Sequence, residues 1–142
     1  PHAYHSTAFL IEYRGKYLLY FGDTSSDFLE SKKHLETIWK KIAPLIQNKN
    51  FYGILLECSF AHADAPNAIY GHLDTKLMMR EMHHLAEISQ SSLEGLKVIV
   101  THRKESLKKE TDALSKIEEE LRAFNDLNIE FIFPAQGDRI IL

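Results

Sequence analysis

The feature that most limits what this chain can fold into is its alternation of two hydrophobic periods. Five short runs rich in aromatic and aliphatic residues read as strands: Phe9–Tyr13, Lys16–Phe21, Gly53–Glu57, Leu96–Val100 and Ile129–Phe133. Arg14-Gly15 separates the first two, the spacing of a hairpin with a two-residue turn. After that hairpin the strands alternate with helical segments. Leu35, Ile38, Trp39, Ile42 and Ile46 recur on one helical face and Asn48 to Asn50 close it. Asp74 or Thr75 offers an N-cap for a second helix with Met78, Met82, Leu85 and Ala86 as its apolar stripe. A third helix is predicted from about Thr111 to Phe124, with Leu114, Ile117, Leu121 and Phe124 on one side. Arg139–Leu142 is expected to form a last strand. The order ββαβαβαββ predicts an α/β layered architecture in one globular unit, or part of a larger one.

Composition narrows the function classes. The 142 residues carry a formal net charge of −3, so no global basic field holds a nucleic-acid backbone. Arg103-Lys104 followed by Lys108-Lys109 is the one candidate basic strip, and its plain reading is a solvated helix start. Nucleic acid is therefore disfavoured as a partner. One cysteine, Cys58, excludes an internal disulfide and Cys-rich zinc sites. No apolar run approaches the ~20 residues needed to span a bilayer, so no membrane partner is expected. The chain begins Pro1-His2-Ala3, and the want of a targeting segment carries no weight. The compartment, cytoplasmic or periplasmic, and the oligomeric state, a homodimer included, stay open.

In open α/β structures ligands gather at the carboxyl ends of the strands. Asp23, Glu57-Cys58-Ser59 and His102 each follow a predicted strand, and Gly71-His72-Leu73-Asp74 precedes a predicted helix. Their recurrence at one edge is the signal, since each is ordinary alone. Asp23 in Phe-Gly-Asp-Thr reads as a turn that ends a strand, or as a carboxylate able to bridge two cations about 3.5–4 Å apart. His102 in Val-Ile-Val-Thr-His reads as a strand cap or as an imidazole ligand. His72 reads as a neighbour of a helix N-cap, or as a group that orients a phosphate or passes a proton. His2 and His5 give weak signals of their own. His62-Ala63-Asp64 is a fragment of a ligand pattern, His83-His84 face solvent or a helix edge, and Glu118-Glu119-Glu120 reads as a solvated helix face.

Taken in order, Ser6–Ile11, Phe21–Thr24, Ile38–Ile46, Leu55–Phe60, Gly71–Leu73, Val98–Lys104 and Phe131–Gly137 resemble the class II 3′,5′-cyclic nucleotide phosphodiesterases. That family belongs to the metallo-β-lactamase superfamily and is related to the tRNA 3′-processing endonucleases (RNase Z). The resemblance implies an αββα sandwich with the site along one edge, and two divalent cations, zinc or alternatively manganese. It implies Asp23 as the bridging ligand, His102 as the last histidine ligand and His72 as a non-ligand histidine beside the phosphate. It places a first-metal ligand at His2, with His5 or an upstream residue as alternatives. The superfamily's leading signature, His-x-His-x-Asp-His, is absent from these 142 residues. The expectation is therefore that this chain is the C-terminal part of one metallo-β-lactamase-fold domain. It would work with an N-terminal part of the same enzyme, on cAMP or cGMP, and be inactive alone.

Overall fold

The computed structural model describes residues 6–64, 71–104 and 112–142. The hairpin forms as expected, with β1 (Ala8–Tyr13) and β2 (Lys16–Phe21) antiparallel. Arg14 and Gly15 take φ of 52° and 76°, the pair of positive values that a two-residue type I′ turn demands. The order then runs α1 (His34–Gln47), β3 (Phe51–Glu57), α2 (Thr75–Ser89), β4 (Lys97–Thr101), α3 (Ala113–Phe124) and β5 (Glu130–Ile132).

The five strands make one sheet in the order β1-β2-β3-β4-β5. β2 to β5 are parallel to one another, so the carboxyl ends of four neighbouring strands share one edge. Gly53 sits where β3 and β4 approach closely: a Cβ there would lie 2.9 Å from the Lys97 carbonyl oxygen. A residue with a side chain would push the two strands apart.

Register fixes two faces. Leu19, Ile54 and Val98 are paired across the sheet, as are Leu56 and Val100, and all five are buried. They form the floor of a core with Trp39 and Ile42 of α1, Met78, Met82 and Leu85 of α2, and Ile117 and Leu121 of α3. The helices lie side by side over this face, α2 between α1 and α3. The opposite face is apolar too but open around the hairpin, where Phe9, Ile11 and Tyr13 are 55%, 49% and 66% exposed. Apolar residues on both faces mark a sheet built to lie between two layers. The described residues supply one of them.

The α/β class is as expected, with one correction. Residues 139–142 form no strand: Arg139 and Ile141 are exposed and the segment has no ladder partner. Sequence pattern alone overstates it, because an alternating run becomes a strand only where a neighbour pairs with it. The third helix starts at Ala113 behind an Asp112 N-cap, while the expected start at Thr111 lies outside the described residues. No helix among the described residues is long and apolar enough to cross a membrane.

Candidate metal centre

Three loops at the carboxyl edge build the site. β2 ends at Phe21, and Gly22-Asp23 follows. β4 ends at Thr101, and His102 comes next with φ of 51°. A histidine in the left-handed region is uncommon and costs on the order of 1–3 kcal/mol, which the surroundings must offset. Cys58 N–H donates to the Thr101 carbonyl at 3.1 Å and Lys104 N–H to the Ser59 carbonyl at 3.2 Å, while Ser59 Oγ lies 3.2 Å from the His102 carbonyl oxygen. The chain after β4 is thus tied to the chain after β3.

The third loop is anchored the same way. Ser59 N–H donates to the Leu73 carbonyl and Thr75 N–H to the Phe60 carbonyl. Gly71, at φ of 76°, makes the turn into His72 in a conformation that favours glycine. Asp74 then caps α2 by accepting from Leu77 N–H at 2.7 Å.

These loops bring Asp23, His72 and His102 together: one donor atom from each lies within 4.8 Å of the others. His102 Nδ1 is 3.0 Å from Asp23 Oδ1, and both side chains are close to half exposed. His72 is buried and stacks on His102, with ring centroids 5.2 Å apart. Its nitrogens are engaged differently. Nδ1 lies 2.8 Å from Glu57 Oε1, and Lys104 Nζ donates to Nε2 at 2.9 Å. A carboxylate only accepts and an ammonium only donates. These two contacts suit the tautomer of His72 that carries its proton on Nδ1. This favours Asp23 and His102 as the pair open to a cation, with His72 beside them.

Glu57 organises the whole cluster, and its sequence position had given it no separate role. It is buried at 1% exposure. One oxygen accepts from Thr24 N–H, next to Asp23, and from His72; the other accepts from the hydroxyl of Ser59, which lies beside the His102 carbonyl. An acidic residue ending an otherwise apolar buried strand was the signal that could have found it.

The remaining sequence candidates take other roles. His2 and His5 lie outside the described residues, as do Lys108 and Lys109. His62 pairs with Asp74 at 2.9 Å and Asp64 with Lys116 at 2.9 Å, away from the cluster. His83 pairs with Asp126. Arg103 does not offer a phosphate strip, because its guanidinium donates to Glu118 at 2.7 Å and to the Pro134 carbonyl at 2.9 Å. The acidic run of α3 is solvated only at Glu119. Glu118 holds Arg103, while Glu120 accepts from His62 N–H and from the Thr75 hydroxyl. Cys58 is no nucleophile: burial pushes its thiol well up, and the nearby Glu57 and Asp74 carboxylates add to the shift.

The cAMP phosphodiesterases class-II family model matches residues 2–137. The chain belongs to this family. It is 34% identical over 137 residues to a 3′,5′-cyclic-nucleotide phosphodiesterase of Aliivibrio fischeri, covering 95% of this chain and 42% of that protein. It is 37% identical over 116 residues to 3′,5′-cyclic-nucleotide phosphodiesterase 1 of Saccharomyces cerevisiae, covering 76% of this chain and 31% of the relative. Its structure matches a crystal structure of unliganded yeast PDE1 with a TM-score of 0.73 at 32% identity, over 86% of this chain and 35% of that one. The chain thus spans about two-fifths or less of the length of these class-II relatives.

Proposed function

We propose that this chain forms the C-terminal part of a metal-dependent phosphodiesterase that opens 3′,5′-cyclic nucleotides, cAMP or cGMP, to 5′-nucleotides. The observation that carries the reading is the convergence of Asp23, His72 and His102 within 4.8 Å at the carboxyl edge of a class-II family fold.

The donor set suits divalent cations such as zinc or manganese, since it pairs an imidazole with a carboxylate that has two oxygens. Cations at such a site lower the pKa of water and polarise a phosphoryl oxygen. Asp23 and His102 would hold them, with further ligands from an N-terminal part of the same enzyme and from His2 or His5. His72 would stand on the phosphate side; because Glu57 holds its Nδ1, a role toward the phosphoryl oxygens or the leaving ribose oxygen would need a proton on Nε2. Glu57 fixes its ring and tautomer, so the imidazole is oriented before substrate arrives. The open apolar face around Phe9, Ile11 and Tyr13 supports a second layer, as in an αββα sandwich.

Parallel assays of a full-length protein on cAMP, cGMP and precursor tRNA test the substrate class. Turnover of a cyclic nucleotide with none of the tRNA is expected; cleavage of tRNA alone would replace this reading with a nuclease. The engagement of Arg103 by Glu118 and Pro134 weighs against the nuclease, because it withdraws one of the few cations near the site.

A further inference from the structure

Arg103 and Lys104 are consecutive cations with opposite fates. Arg103 turns toward α3 and is paired with Glu118. Lys104 turns to the centre, where its Nζ lies 2.9 Å from His72 Nε2 and 5.1 Å from the centroid of the Phe60 ring. Among the described residues no carboxylate forms an ion pair with Lys104. The nearest acid along its hydrogen-bond chain is Glu57, reached only through the imidazole. The ammonium thus rests on a neutral ring nitrogen and an aromatic face, two partners that hold a cation in place without cancelling its charge. Its backbone is fixed as well, through Lys104 N–H to the Ser59 carbonyl. Of its three N–H donors, His72 takes one.

We propose that Lys104 is a substrate-binding residue of this site, the cation that meets the non-bridging oxygens of the phosphodiester. The proposal rests on the phosphodiesterase reading. A phosphodiester is a monoanion with two such oxygens, and an ammonium beside the cluster of Asp23, His72 and His102 supplies the complementary point charge. His72 then acts in a second way, since its Nε2 aims the ammonium while Glu57 holds the ring from behind. The Phe60 ring limits how far the lysine swings.

The test is steady-state kinetics on cAMP with full-length protein, comparing Lys104→Met and Lys104→Arg with the parent. Loss of one charge-assisted hydrogen bond predicts a KM raised by about tenfold to a hundredfold in Lys104→Met. Metal content should be unchanged, and Lys104→Arg should recover much of the loss. A KM within about twofold of the parent at equal metal content would overturn the role of Lys104 and leave the phosphodiesterase reading standing. If the parent turns over no cyclic nucleotide, that reading fails, and calorimetric binding of inorganic phosphate decides on Lys104. Weaker phosphate binding by Lys104→Met upholds the anion site, and equal binding overturns it.

Discussion

At the scale of single residues the site is marked by backbone as much as by side chains. His102 holds φ of 51° directly after a buried parallel strand, a conformation that glycine would adopt at no steric cost. A residue kept there for packing would give way to glycine with gain; one kept for its imidazole would not. We expect His102→Gly to change stability by less than about 1 kcal/mol, as relief of strain offsets added freedom of the unfolded chain. Hydrolysis should fall to background, and urea unfolding beside an activity assay reads both. Cys58 gives a contrasting case. An ordinary thiol, of pKa about 8.5, becomes steadily more thiolate between about pH 7 and pH 9. Burial pushes Cys58 in the direction that keeps its proton. Its reaction with a thiol reagent in the folded protein should stay negligible over that range and appear only on unfolding.

Asp23 and His102 stood out because each follows an apolar strand, and His72 because it stands just before a helix N-cap. Glu57 was only half legible: its place at the end of a strand could be read, but its contacts with Thr24, Ser59 and His72 depend on loops that meet only in three dimensions. The direction of Arg103 was hidden for the same reason, since its partner Glu118 lies fifteen positions away on another element.

At the scale of elements the five strands and three helices of the described residues were read closely because each carries its own period, while the expected strand at Arg139–Leu142 does not form. The loop that follows Asp23 was not. Its anchor is Glu81, a fully buried carboxylate on α2 that accepts from Ser26 Oγ at 2.6 Å, Asp27 N–H at 2.9 Å and Trp39 Nε1 at 3.1 Å. Asp27 in turn accepts from the Leu35 and Glu36 N–H groups at the start of α1. One side chain therefore couples α1, α2 and the Asp23 loop. Glu81→Ala strands three buried donors, two of them next to the Asp23 loop. We expect a loss of about 3 kcal/mol or more in chemical denaturation. At temperatures where the variant remains folded, its affinity for metal should also fall.

At the scale of the whole molecule, a helical layer on one face of the sheet leaves the hairpin's second face to be covered. The residues that form this face, Phe9, Ile11, Tyr13 and Tyr20, alternate strictly with those on the core side. The chain's share of its relatives' length agrees with that incomplete burial. Three chemistry-bearing side chains, Asp23, His72 and His102, meet at the edge where four parallel strands end.

Metal analysis of the full-length protein and of its Asp23→Ala variant, paired with cAMP hydrolysis, tests the central claim most directly. Two divalent cations per chain are expected in the parent. Asp23→Ala should lose at least one of them together with turnover, because Asp23, as the proposed bridging ligand, would hold both. Near-normal hydrolysis by Asp23→Ala with its metal content intact would contradict the account.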